Sequence, residues 1–453
     1  MTKYFGTDGV RAVAGQFPLV EDFITKLGYC ALKEIEKQYA AYPCTKEVII
    51  AEDSRASGKE IAEHLARGIR AAGYNVVHIG IAPTPAASFV TRQEKALCGI
   101  VISASHNPAE FNGIKFFSCE GSKIPEELEE QIEKTIDACA AVPAVKENTS
   151  FTAKKELTES YINFLKSTFP KDIDLKGVKI VLDCANGASY EIAPKVFKEL
   201  GADIVVLNAA PDGKNINGNC GALHTQGMQD ATKANGAFIG FSFDGDADRL
   251  IASDEQGRQL DGDNVIAVAA LYLKNKKKLK GCKAVLTIMA NLGLINFLKQ
   301  NGIEPVLTKV GDKYVFEALD KEDLSIGGET SGHVIFRDIS KAGDGILCAL
   351  QLLAIVKYSG KPASAVKDMW TKYPLKLVPV KVEKKTPLEQ VEGFLPYVDQ
   401  LQKSMGGKGR IVVRYSGTEP LLRILVEGED KNLVEETAAK VEKFYLQKIK
   451  AAA

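Results

Sequence analysis

The chain has no excess of either charge: 58 Lys and Arg residues stand against 58 Asp and Glu. A partner held by bulk electrostatics, such as a nucleic acid or an anionic membrane surface, is therefore not expected. The one dense basic run, KNKKKLKG from Lys274 to Gly281, lies between a helical apolar pattern and a new strand pattern and reads as a solvated loop. Paired cysteine is also missing: the nine cysteines, an odd number, contain no C-x-x-C, and residues such as Cys98 and Cys348 sit in apolar segments. Reduced core thiols are expected rather than a disulfide framework. No apolar run approaches the length of a membrane span, and the opening MTKYFGTDGVRAVAG lacks the charged-then-apolar pattern of a secretory leader. A cytoplasmic protein follows as the expectation. Histidine and tryptophan are scarce, with five and one. His64 and His78 fall inside regular elements and read as structural or surface residues, and Trp370 reads as a packing anchor near a domain connection.

What is abundant is α/β texture, and it repeats. At 453 residues the chain exceeds one ordinary core, so several domains are expected. EVIIAEDSR (Glu47 to Arg55), VKIVLDCANGA (Val178 to Ala188) and CKAVLTIMANLG (Cys282 to Gly293) each read as a buried strand ending in a polar or glycine-containing turn before a helix. In the first, Ser57 and Glu60 have capping-box spacing, and Ile61, Leu65 and Ile69 form a helical stripe. Later in each unit a strand runs into a loop, CGIVISASHNP, GAFIGFSFDGDADR and LSIGGETSGH, and a short extended run follows. The expected fold class is α/β: three similar mixed α/β domains in tandem plus a smaller C-terminal α+β domain, sharing a central cleft. The expected domains are 1–150, 151–254, 255–370 and 371–453. Loops at the C-terminal ends of strands are where such sheets build sites.

Each loop carries its own chemistry. In DGDADR, Asp244, Asp246 and Asp248 alternate, and in an extended segment alternate side chains face one way, so three carboxylates can converge. A hard divalent cation, Mg²⁺ or Ca²⁺, would relieve their repulsion; an acidic turn between two strands is the alternative. Arg249 beside them suggests that an anion, naturally a phosphate, arrives there. The carboxylates and a phosphate together outweigh one divalent cation, so basic groups should approach from other loops. Ser105, with His106 and Asn107 after it and Lys115 on the returning strand, suits a phosphoryl carrier better than an acyl-transfer nucleophile, because it needs chiefly a metal and cations. A simple turn is the alternative there. GGETSGH holds Glu329, Ser331 and His333, and Glu with Ser suits the vicinal hydroxyls of a sugar. RYSGTEP places Arg414, Ser416, Gly417 and Thr418 in one turn, with Arg423 on the next strand, a cradle for a non-reacting phosphate.

S-A-S-H-N-P, D-G-D-A-D-R, G-E-x-S-G-H and R-x-S-G-T-E-P, in this order and over essentially the whole chain, resemble the α-D-phosphohexomutase superfamily. KYFGTDGVR and PDGKNINGNCGALH (Pro211 to His224) resemble the branch that acts on glucosamine phosphates. The resemblance implies an isomerase that interconverts glucosamine 6-phosphate and glucosamine 1-phosphate, a precursor step for UDP-N-acetylglucosamine. It implies a phosphoserine at Ser105, one Mg²⁺ held by Ser105 with Asp244, Asp246 and Asp248, and a hexosamine 1,6-bisphosphate as activator and intermediate. Catalytic roles fall to Ser105, His106, Lys115, Arg11, Arg249 and His333. Sugar contacts fall to Glu329 and Ser331, and the phosphate clamp to Arg414, Ser416, Gly417, Thr418 and Arg423. The expected partner is a small sugar phosphate, with no nucleic acid or membrane, and the protein a monomer or homodimer. Thr330, where this branch often has Gln, bears on sugar choice. A phosphomannomutase/phosphoglucomutase shares the chemistry, and a Mg²⁺-dependent sugar phosphatase would share the metal and the serine. A non-catalytic sugar-phosphate sensor is a further reading, opposed by the intact serine, aspartates and lysine.

Overall fold

The computed structural model describes residues 3–6, 8–144, 151–416 and 420–451. The chain forms two compact units, Met1–Thr287 with Val306–Asp368, and Ile288–Pro305 with Met369–Ala453.

Three sheets of related plan build the larger unit. In the first, Thr45–Glu52 lies between Asn75–Ile81 and Ala96–Ile102 in parallel, and Phe111–Ser118 returns antiparallel to Ala96–Ile102. Val10–Val13 closes one edge and Thr152–Ala153 the other. The second has the order Gln259–Leu260, Leu250–Ser253, Ile239–Phe243, Lys179–Asp183, Asp203–Leu207, with its last three strands parallel. The third has the order Glu304–Thr308, Lys283–Thr287, Ile326–Gly328, Val334–Phe336. In every case a parallel strand runs into the chemistry-bearing loop and an antiparallel strand carries the chain back. Strand Ala96–Ile102 is buried at every residue, which explains its unbroken apolar run: a parallel-type strand covered on both faces has no reason to alternate.

Helices follow the strands by ordinary local rules. Ile61, Leu65 and Ile69 are all buried on helix Gly58–Ala71, as the stripe requires. The capping box expected at Ser57 does not form, because the Ser57 hydroxyl accepts a hydrogen bond from Asn112 Nδ2 at 2.9 Å instead. A capping box does form at Gly262–Asn275, between Asp261 and Asn264. Asp344 caps the nearly all-apolar helix Gly345–Ser359, accepting from Leu347 N at 2.9 Å and from the Tyr161 hydroxyl at 2.8 Å. No described helix is long and apolar enough to cross a membrane. The cysteines are all free thiols, although Cys282 is exposed rather than in a core.

In the smaller unit, Leu375–Lys381, Leu421–Gly428 and Gly409–Tyr415 form an antiparallel sheet. Helices Phe394–Ser404 and Lys431–Ala451 cover it, and Phe394, Leu422, Ile424, Val426, Val441 and Tyr445 fill the space between. Buried Glu427 ties in Asn291 and Leu292, accepting from both at 3.1 Å, and pairs with Arg410. Trp370, 9% exposed, packs against Gly293 in this unit, which is the anchoring role its position suggested.

Candidate active site

Three loops of the larger unit meet around buried carboxylates. Ser105 is fully buried and holds a positive φ of 53°, a conformation costly for any residue with a Cβ. That backbone aims its hydroxyl at Asp244, to which Oγ donates at 2.6 Å, and brings it 3.3 Å from His106 Nδ1. The serine and carboxylate loops touch because Gly245 separates them: a Cβ there would sit 2.5 Å from the Ser105 carbonyl oxygen.

Asp244, Asp246 and Asp248 do converge, but not by extended alternation. Strand Ile239–Phe243 ends before them, and a tight turn follows in which Ala247 N donates to Asp244 O at 3.0 Å with Ala247 at a φ of 56°. One ligand oxygen from each carboxylate lies within 4.8 Å of the others. The Oδ1 atoms of Asp246 and Asp248 are buried and have no hydrogen-bond partner. Such oxygens are costly unless something positive meets them, and an all-oxygen donor set fits a hard divalent cation. Burial together with Asp248 and Asp246 pushes the Asp244 carboxyl well above its ordinary range.

Basic groups surround the cluster as its charge demands. Lys115, 1% exposed on the returning strand, lies 2.7 Å from Asp246 and 3.0 Å from Asp8. Burial opposes its charge, but Asp246, Asp8 and Asp248 outweigh burial and raise its pKa. Arg249 Nε is 3.8 Å from Asp248 Oδ1, and both Arg249 Nε and Arg11 Nε are buried with no hydrogen-bond partner. Arg11 pairs with Asp8 on the first edge strand. His106 is held down to about 4 by burial and by Arg249 and Arg11, so it is neutral at pH 7. His333 differs: its ring nitrogens face Asp248 at 3.5 Å and Asp312 at 3.6 Å, which overcome burial and raise its pKa.

The glycine-rich loop lines the same cleft. Glu329 Oε1 accepts from Gly311 N at 3.1 Å, and exposed Ser331 donates to Glu329 Oε2 at 3.5 Å. Thr330 turns away, its hydroxyl donating to buried Asp263 at 2.8 Å. In the smaller unit Arg414 and Arg423 face each other in register on adjacent strands. Ser416 is buried beside them, its amide donating to Leu421 O at 2.8 Å and its carbonyl accepting from Lys385 at 2.6 Å. Gly417 and Thr418 lie outside the described residues.

Several residues of the cleft carried no sequence signal of their own. Asp8 bridges Lys115, Arg11 and Lys123, and Lys123 bridges Asp8 to Asp312. Asp53 and Arg55, fully buried and 2.9 Å apart, brace the serine loop from below. Of these, Asp53 and Arg55 had a signal in their position alone, since they follow the first repeated strand where a functional loop is due.

Models of the phosphoglucomutase/phosphomannomutase family match in order along the chain. Its α/β/α domains I, II and III match residues 2–142, 159–257 and 261–373, and its C-terminal domain matches 377–444. A phosphoglucosamine mutase of Campylobacter curvus is 43% identical over 454 residues, covering 99% of this chain and 100% of that one. A protein of the same name from Syntrophotalea carbinolica is 42% identical over 432 residues, 95% and 94% of the two chains. Among solved structures, a phosphoglucomutase/phosphomannomutase family protein from Burkholderia thailandensis superimposes with a TM-score of 0.80 at 24% identity, over 100% of this chain and 98% of that one. An N-acetylphosphoglucosamine mutase from Aspergillus fumigatus, solved with GlcNAc-6P and magnesium, does so with a TM-score of 0.72 at 20% identity, over 99% and 96%.

Proposed function

The chain belongs to the phosphoglucosamine mutase family of the phosphohexomutases, and on that premise we propose that it interconverts glucosamine 6-phosphate and glucosamine 1-phosphate through a phosphoserine at Ser105. The observation that carries this reading is the 2.6 Å contact between the buried Ser105 hydroxyl and a carboxylate cluster already ringed by Lys115, Arg249 and Arg11. A serine so placed has cations to meet the charge of a phosphoryl group.

Asp244, Asp246 and Asp248, with a phosphate oxygen on Ser105, would hold one Mg²⁺, which when bound offsets the phosphoryl charge. Magnesium and a sugar phosphate accompany the Aspergillus fumigatus neighbour, which supports this choice of ion and ligand class. Transfer breaks the Ser105 Oγ–P bond and forms a bond from phosphorus to the free hydroxyl of the bound sugar phosphate, giving a 1,6-bisphosphate. The sugar then turns over, and Ser105 takes back the phosphoryl group from the other end. Lys115, Arg249 and Arg11 spread the charge of the group in flight. His333, between Asp248 and Asp312, would move the proton of the sugar hydroxyl, and neutral His106 stands beside Ser105 Oγ. Glu329 and Ser331 would bind sugar hydroxyls. Arg414, Ser416, Gly417, Thr418 and Arg423 would clamp the phosphate that is not reacting. A monomer or homodimer acting in the cytoplasm completes the reading.

The test is initial-rate kcat/KM for glucosamine 6-phosphate, glucose 1-phosphate and mannose 1-phosphate, on protein primed with a hexose 1,6-bisphosphate and supplied with Mg²⁺. Strong preference for the amino sugar is expected, and chelation of the metal should abolish turnover reversibly. Equal or better use of glucose or mannose moves the protein to the phosphomannomutase reading. Phosphate release without isomerisation moves it to a phosphatase.

A further inference from the structure

Ser105 adopts a backbone conformation that its Cβ disfavours, so something must hold it there. Two donors from different parts of the larger unit do so. Arg55 spends all five of its N–H groups: Nε on Asp53, Nη1 on the carbonyls of Pro108 and Phe111, and Nη2 on those of Ser105 at 3.1 Å and Asn107 at 2.8 Å. Asn217 belongs to the PDGKNINGNCGALH stretch, next to the second sheet rather than the first. Its Nδ2 donates to the same two carbonyls, Ser105 at 2.9 Å and Asn107 at 3.0 Å. Two acceptors on one side leave no ambiguity about which way the amide is turned. The backbone N–H of Asn217 donates to Ala185 O at 2.9 Å, and the same stretch meets the first domain again in the turn after Thr45–Glu52, where Ala56 N donates to Gly213 O at 3.0 Å.

We infer that Asn217 is a positioning residue for Ser105: its amide, carried by the second α/β domain, clamps the Ser105 and Asn107 carbonyls and keeps the serine hydroxyl aimed into the carboxylate cluster. Arg55 and Asp53 come from the same domain as the serine and hold the loop whatever the second domain does. Asn217 makes the serine's aim depend on contact between the two domains that carry the serine and the carboxylates. The inference rests on Ser105 being the phosphoryl carrier.

The experiment uses full-length wild type, Asn217→Ala and Asn217→Asp, the latter nearly isosteric but without the two donors. Each is primed with glucose 1,6-bisphosphate and Mg²⁺, phosphate on Ser105 is counted by intact mass, and single-turnover transfer to glucosamine 6-phosphate is followed. Steady-state kinetics and thermal unfolding accompany it. Expected is a fall of about ten- to hundred-fold in transfer rate per phosphoserine and in kcat, with KM within about two-fold of wild type. Deuterium uptake of the peptide spanning Ser103 to Asn112 should rise in both variants. A residue with only a structural role would lower the melting temperature and the fraction phosphorylated, yet leave transfer per phosphoserine at the wild-type rate. That result overturns the inference while the proposed function stands. Wild type that takes up no phosphate on Ser105, or passes none to the sugar phosphate, overturns the function and the inference with it.

Discussion

The serine loop and the sugar loop leave corresponding strands of two related sheets, yet they are held in opposite ways. In the serine loop both backbone and side chains are tied inward: Ser105 N donates to Ser103 Oγ at 2.8 Å, Ser103 Oγ donates to Asp53 at 2.6 Å, and Arg55 gathers four carbonyls. In the sugar loop the backbone is pinned, with Leu250 N on Gly332 O at 3.0 Å and Gly262 N on Thr330 O at 3.1 Å, but Ser331 stands exposed and Glu329 half-buried. The difference follows from what each loop must do. On the roles proposed above, a reacting atom gains from one fixed geometry, whereas groups that would bind a sugar must first hold water and then exchange it for hydroxyls.

Breaking the serine side should have the largest effect. Ser105→Ala removes the proposed phosphoryl carrier, and mutase turnover at saturating substrate and Mg²⁺ should fall by at least about a thousand-fold with little change in melting temperature. Retained turnover would remove the serine loop from the chemistry. Arg55→Met leaves Asp53 buried without its ion-pair partner and takes one donor from each of four carbonyls, those of Ser105 and Asn107 keeping Asn217. Denaturant unfolding should show a loss of about 3–5 kcal/mol, and a loss below about 1 kcal/mol would mean the loop does not rely on this brace.

The support beneath the serine loop also carries a pH signature. Burial and neighbouring Asp53 push the Glu52 carboxyl up to about 7 from an ordinary value of 4.5. Between those values the folded protein keeps a proton that the unfolded chain releases, so the stability due to this group falls as pH rises through the window. Burial and Lys155 hold His78 down to about 4 from 6.5, which acts in the opposite sense below pH 6.5. Glu52→Gln removes the first effect, and its stability relative to wild type should rise between pH 4.5 and 7 by at most about 3 kcal/mol. A difference that stays constant from about pH 4 to 8 contradicts it.

On the sugar side the effect should be smallest and confined to binding. Glu329→Gln should raise KM for glucosamine 6-phosphate about ten-fold, with stability unchanged within about 0.5 kcal/mol. Loss of folding would show that Glu329 is tied into the interior like the serine loop and would erase the contrast.

Much of the plan was legible in the linear order of residues, because the signals are local. Strand Ala96–Ile102 announces its burial by an unbroken apolar run, and SASHNP, DGDADR and GETSGH interrupt such runs at corresponding places. Carboxylates two apart and a neighbouring arginine speak of a cation and an anion before any coordinate is known. The route by which they converge was not legible: alternation suggested an extended segment, and the chain uses a turn with Ala247 at positive φ. Likewise Ser57 had the spacing of a cap, but the competing donor was Asn112, more than fifty positions away.

Neighbouring residues alone were enough for the α/β repeat, the set of candidate site groups and the kind of ion the three aspartates suit, since strand burial, turn chemistry and ligand type are local properties of the chain. Long-range packing chose the distant residues that complete the site. Asp8 beside Lys115 and Lys123, Asp312 beside His333, and Asn217 on the Ser105 carbonyl are pairings across long stretches of chain. Buried charges and carbonyls must find partners wherever packing brings them, and that requirement leaves no local trace in the order of amino acids.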